Sequence, residues 1–128
     1  MIHWKLFFRG NIPGSNVNQG NELCSYLQPF PPRGIGYCRY IFVLFKQEKK
    51  LDFSKHAKQA PCFNLEDRDF STFDFYKEYQ DEMTPIGLSF FQADWDSSLT
   101  DFYHNVLGKL RKSLIPFHAR CSLPLTLT

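Results

Sequence analysis

Between Pro31 and Gln47 the chain reads PPRGIGYCRYIFVLFKQ, and no other stretch restricts the fold as strongly. Pro31 and Pro32 impose a rigid turn, while Gly34 and Gly36 permit backbone shapes that other residues resist. The unbroken apolar run Tyr40–Phe45 follows. Its length, its β-branched Ile41 and Val43, and the Pro/Gly punctuation before it predict a strand buried on both faces. Alternation places Cys38, Tyr40, Phe42 and Leu44 on one face and Arg39, Ile41, Val43 and Phe45 on the other. A loop of unusual backbone geometry entering a central strand is a natural place for a ligand pocket. The plain alternative is a core strand behind a proline turn.

Other segments declare themselves by period. Ile2, Trp4, Leu6 and Phe8 alternate with His3, Lys5, Phe7 and Arg9, the mark of a half-buried strand. Asn11-Ile12-Pro13-Gly14 has the order of a type II turn. Cys24–Phe30 is short and mixed, suiting an edge strand. Ser71–Met83 reads as a helix: Ser71 and Asp74 fit a capping box, and Phe73, Tyr76, Tyr79 and Met83 recur at helical steps until Thr84-Pro85 stops it. Ile86–Trp95 returns to strand character, with Leu88 and Phe90 on one face and Phe91 on the other. Asp96–Leu110 is the cleanest helix, capped by Ser98 and Asp101, with Leu99, Phe102, Tyr103, Val106, Leu107 and Leu110 on one face. The pattern then dissolves, and residues 111–128 are expected to be a loose tail after a domain over residues 1–110.

The chain has 128 residues, enough for one domain with a real core. Its net charge of +2 is too balanced to announce a nucleic-acid binder. The four cysteines, Cys24, Cys38, Cys62 and Cys121, lack metal-ligand spacing and read as reduced thiols of an intracellular protein. No segment approaches the roughly 20 apolar residues of a membrane span, and neither a signal nor a transit peptide opens the chain. Phosphate loops, nucleophile elbows and HExxH motifs are absent. His56, His104 and His118 are isolated. Glu66, Asp67 and Asp69 beside Arg68 read as exposed loop charges, with acid–base or metal chemistry as the lesser reading.

An ordered set of stretches resembles the phosphatidylethanolamine-binding protein (PEBP) family: Ile2-His3-Trp4, Asn11–Gly14, Pro31–Gly36, Arg39–Gln47 and Phe90–Asp96. Further stretches resemble a mitochondrial large-subunit ribosomal branch of it: Leu44–Gln47, Asp52-Phe53-Ser54, Pro61-Cys62, Thr72–Tyr76 and Met83–Gln92. The resemblance implies a mainly β fold with helices: an antiparallel β-sandwich, incomplete because its early strands and an Asp-Pro-Asp pocket segment would lie upstream of His3, with two helices in the second half.

By the same resemblance His3, Pro31, Tyr40 and Tyr103 line a vestigial anion pocket. Cys38 stands there in place of a histidine, and a thiol is a weak donor. The implied function is a non-catalytic packing module of the mitochondrial large ribosomal subunit, located in the matrix and needing no cofactor or metal. Its expected partners are ribosomal proteins and rRNA, the latter through Lys46, Lys49, Lys50, Lys55 and Lys58. The alternative is a binder of phosphate or phospholipid headgroups that regulates a signalling partner. An enzyme using Cys38 as nucleophile beside His3 ranks last, since no residue in the pattern activates the thiol.

Overall fold

The computed structural model describes residues 5–108 and the backbone of Ser122–Leu127. The sheet contains two antiparallel strand pairs. Strand β1 (Phe8–Gly10) pairs with β2 (Asn21–Cys24), and β3 (Cys38–Gln47) pairs with β4 (Met83–Ala93). Strand β5 (Ser122–Leu127) lies between them, parallel to both β1 and β3, giving the sheet order β2-β1-β5-β3-β4. The architecture is therefore a small mixed α/β one with two helical segments in its second half.

Three expectations change here. The expected sheet was antiparallel throughout, but β5 runs parallel to its neighbours. That strand falls inside the segment expected to be a loose tail. A strand held by backbone pairing on both sides needs no side-chain period to form. At the other end, residues 1–4 of the expected first strand lie outside the described residues; among those described, strand pairing starts at Phe8, and Lys5 is buried rather than facing solvent.

Strand β3 behaves as its apolar run predicts. Cys38 and Tyr40 enter one core cluster with Leu6, Leu27, Phe30 and Leu107, and Phe42 packs against it. Phe45 enters a second cluster with Phe8, Leu23, Cys24, Phe53, Phe70, Phe75 and Met83, against which Val43 packs. One strand thus feeds two cores from opposite faces. Arg39 and Leu44 are exposed. Strand β4 forms the sheet edge, which accommodates Pro85 because an edge residue can forgo its N–H. Ile86, Leu88 and Phe90 stay exposed on it.

Helix α1 (Thr72–Tyr79) starts as predicted, with Ser71 Oγ accepting from Asp74 N at 3.2 Å. Its buried residue is Phe75, while Phe73 faces solvent. The expected face is thus rotated toward Phe75 and Tyr79, one helical turn apart. The helix ends before Thr84-Pro85, and Met83 already belongs to β4.

The later helical segment is a composite of 3₁₀ (Ser97–Leu99), α (Thr100–Phe102) and π (Tyr103–Leu107) turns. Asp96, not Ser98, caps it by accepting from Ser98 N at 2.7 Å. The expected apolar face holds as far as Leu107, with Leu99 and Leu107 buried and Phe102, Tyr103 and Val106 half-buried; Leu110 lies outside the described residues. The turn after β1 closes between Pro13 and Asn16 rather than Asn11 and Gly14, with Gly14 at φ 56°.

Candidate functional site

Four of the five expected pocket residues lie within the described residues; His3 does not. Pro31 is fully buried at the start of the loop, and Cys38 and Tyr40 are fully buried at the head of β3. The Tyr40 ring stacks on Phe91 of β4 at 4.9 Å, its register partner across the pair. Tyr103 arrives from the π turn. Its hydroxyl donates to the Phe30 carbonyl at 2.7 Å, tying the last helical segment to the residue before Pro31. Cys38, Tyr40 and Tyr103 therefore share one aromatic cluster, with Pro31 at its border.

The loop above this cluster carries the exposed polar groups. Gly34 and Gly36 both sit at φ 83°, a left-handed region costly for side-chain-bearing residues. They turn the chain so that Arg33, Ile35 and Tyr37 remain exposed. The Arg33 guanidinium lies 4.8 Å from the Trp95 ring, a cation–π contact linking the loop to the end of β4. Sequence patterning did not reveal this pair, because its members are far apart in the chain.

A surface cavity of about 520 Å³ lies elsewhere, lined by residues of 57–64 together with Asp67. It contains none of the expected pocket residues.

A second constellation went unanticipated. Arg68 is fully buried and donates to four carbonyls: Nε to Cys62 at 2.7 Å, Nη1 to Lys5 at 3.0 Å and Leu6 at 3.2 Å, and Nη2 to Ser25 at 2.9 Å. Nearby, the buried Lys5 ammonium donates to His56 O at 3.2 Å and lies 4.8 Å from the Phe70 ring. Burial pushes the Lys5 ammonium below its ordinary pKa. The carboxylates beside Arg68 in sequence are exposed, as expected, and no salt bridge joins them to it among the described residues. Groups of three or more potential metal ligands are absent among the described residues.

The fold and the site thus define a small mixed α/β domain with an aromatic cluster under a cationic loop. No protein-family model matches the chain. It is similar to the putative odorant-binding protein A5 of Drosophila melanogaster, 28% identical over 109 residues, which is 84% of this chain and 49% of that protein. The chain therefore spans about half the length of this relative.

These findings correct the sequence reading. Kinship with the PEBP family and its ribosomal branch is not upheld, since no family model matches and the relative found carries a ligand-binding name. The role in the large ribosomal subunit, the partnership with ribosomal proteins and rRNA, and the mitochondrial terms attached to them lose their support. Of the five lysines offered for rRNA, three are paired with surface carboxylates: Lys46 with Glu48 at 3.4 Å, Lys49 with Glu82 at 2.5 Å, and Lys55 with Glu78.

Proposed function

We propose that this chain is a small-ligand-binding module that holds an anionic or strongly polar headgroup at the head of β3 and acts by binding, without catalysis. The observation that carries the reading is the similarity to a putative odorant-binding protein along most of the chain. The site chemistry supports it. Arg33 and Arg39 offer exposed cations, while Phe91, Phe102 and Trp95 offer rings for an apolar body; Tyr40 and Tyr103 pack in the cluster, the Tyr103 hydroxyl already given to the Phe30 carbonyl. Pro31 completes the proposed site among the described residues, with Cys38 as a small, weakly polar wall.

An antiparallel sandwich built around β3 and β4 belongs to the same proposal. Ile86, Leu88 and Phe90, exposed on β4, offer the kind of apolar face against which a second layer packs.

The test is a fluorescence titration, following Trp95 beneath Arg33, with phosphorylethanolamine as the headgroup probe. Saturable binding is expected. Arg33→Ala and Arg39→Ala should each weaken it about tenfold, the effect of one lost hydrogen bond to a charged group. Absence of saturation overturns the reading. Saturation unchanged in both variants moves the site away from the β3 head.

A further inference from the structure

The largest unexplained concentration of reactive chemistry lies between β2 and the segment before Arg68. Cys24 is fully buried at the end of β2, and Cys62 is buried with its residue lining the 520 Å³ cavity. Although 38 positions apart in sequence, Cys24 and Cys62 sit on segments that lie against each other. Their segments are held together at three places. Lys58 N donates to Leu23 O at 2.7 Å, and Cys62 N donates to Ser25 Oγ at 3.4 Å. Arg68 clasps both sides, donating to Cys62 O at 2.7 Å and Ser25 O at 2.9 Å. Two buried cations, Lys5 and Arg68, lie close enough to act electrostatically on Cys24.

We propose that Cys24 and Cys62 form a peroxide-sensitive dithiol, with Cys62 as the attacking thiol reached through the cavity and Cys24 as the resolving thiol behind it. The oxidant is a hydroperoxide. Cys62 Sγ attacks its outer oxygen, forming an S–O bond and breaking the O–O bond. The alcohol, or water from hydrogen peroxide, departs with the thiol proton. Cys62 is now a sulfenic acid. Cys24 Sγ attacks Cys62 Sγ, forming the S–S bond and breaking the S–O bond, and the released hydroxide takes the Cys24 proton as water. Two thiols lose two electrons, and one hydroperoxide is reduced.

The roles follow from access. The cavity reaches Cys62, whereas Cys24 sits in the second core cluster. Burial raises the Cys24 thiol above its ordinary pKa, outweighing the opposing pull of Arg68 and Lys5. That favours a thiol that waits for an activated sulfur over one that initiates attack. Cys38 is also buried but lies in the other cluster, which makes it an internal control.

The experiment treats the reduced full chain with hydrogen peroxide and maps peptides by mass spectrometry. The expected product is a Cys24–Cys62 cross-link, two hydrogens lighter than the reduced peptides, with Cys38 unmodified. In Cys24→Ser, dimedone should trap Cys62 as the sulfenic acid, and in Cys62→Ser Cys24 should stay unmodified. The wild-type map decides the matter alone if either variant fails to fold. A bridge to Cys38 or Cys121 instead, or oxidation of Cys38 as fast as of Cys62, overturns the proposal.

Discussion

Lys5 and Arg68 bond to each other through their backbones and one side chain at once. Lys5 N donates to Arg68 O at 2.9 Å, and Arg68 Nη1 donates to Lys5 O at 3.0 Å. The remaining Arg68 donors reach Leu6, Ser25 and Cys62, so a single guanidinium fastens three chain segments. These segments lie outside the strands, and of the four carbonyls Leu6 O also accepts from Leu27 N at 2.8 Å. The planar fork of arginine meets several diverging acceptors in one place, which a lysine ammonium does poorly.

Arg68→Ala is expected to destabilise the protein by about 3–5 kcal/mol, because it leaves several buried carbonyls without donors. Arg68→Lys should recover only part of this. Urea unfolding of both variants checks the order. A loss for Arg68→Ala within the range of ordinary surface changes would show that the clasp does not hold the segments.

His56 gives the stability a pH dependence. Burial lowers its pKa from 6.5, and this outweighs the raising effect of Glu78, whose Oε2 lies 3.4 Å from Nε2. With the folded pKa below the unfolded one, the unfolded chain binds more protons between the two values. Stability then falls as pH drops from 6.5 through the folded pKa. The midpoint of thermal unfolding should decline over this window, and His56→Gln should decline less. Equal slopes in both proteins would remove His56 as the cause.

Asn11 and Gln47 form a reciprocal pair: Asn11 N donates to Gln47 Oε1 at 2.7 Å, and Gln47 Nε2 donates to Asn11 Oδ1 at 2.9 Å. Asn11 also exchanges bonds with Leu51, and its φ of 55° suits Asn better than most residues. Asn11→Ala should cost about 2–3 kcal/mol from lost bonds and backbone strain. Gln47→Ala should cost less, and a double-mutant cycle should give non-additive losses.

Phe75 and Phe73 separate the observed helix face from the one the sequence suggested. Phe75 is 2% exposed and Phe73 is 72% exposed. Phe75→Ala should cost about 3–5 kcal/mol and Phe73→Ala less than about 0.5 kcal/mol. Comparable losses would contradict the placement of α1.

Local pattern alone determined the central strand, the Ser71 cap and the apolar face of the last helical segment. Tyr40–Phe45 carries the β-branched, uninterrupted signature of a doubly buried strand, and Leu99 to Leu107 keeps its helical period. Both signals arise between near neighbours, where sequence spacing and spatial spacing are linked. The convergence of Pro31, Cys38, Tyr40 and Tyr103 was anticipated from a family likeness that the comparisons do not uphold, so its spatial grouping rests on the tertiary structure. Only that structure could bury Lys5 and Arg68, bring the segments of Cys24 and Cys62 together, turn Phe75 inward and insert β5 between β1 and β3. These relations join residues distant in the chain. A charged side chain reads as exposed until distant carbonyls surround it, and backbone pairing leaves little trace in side-chain period.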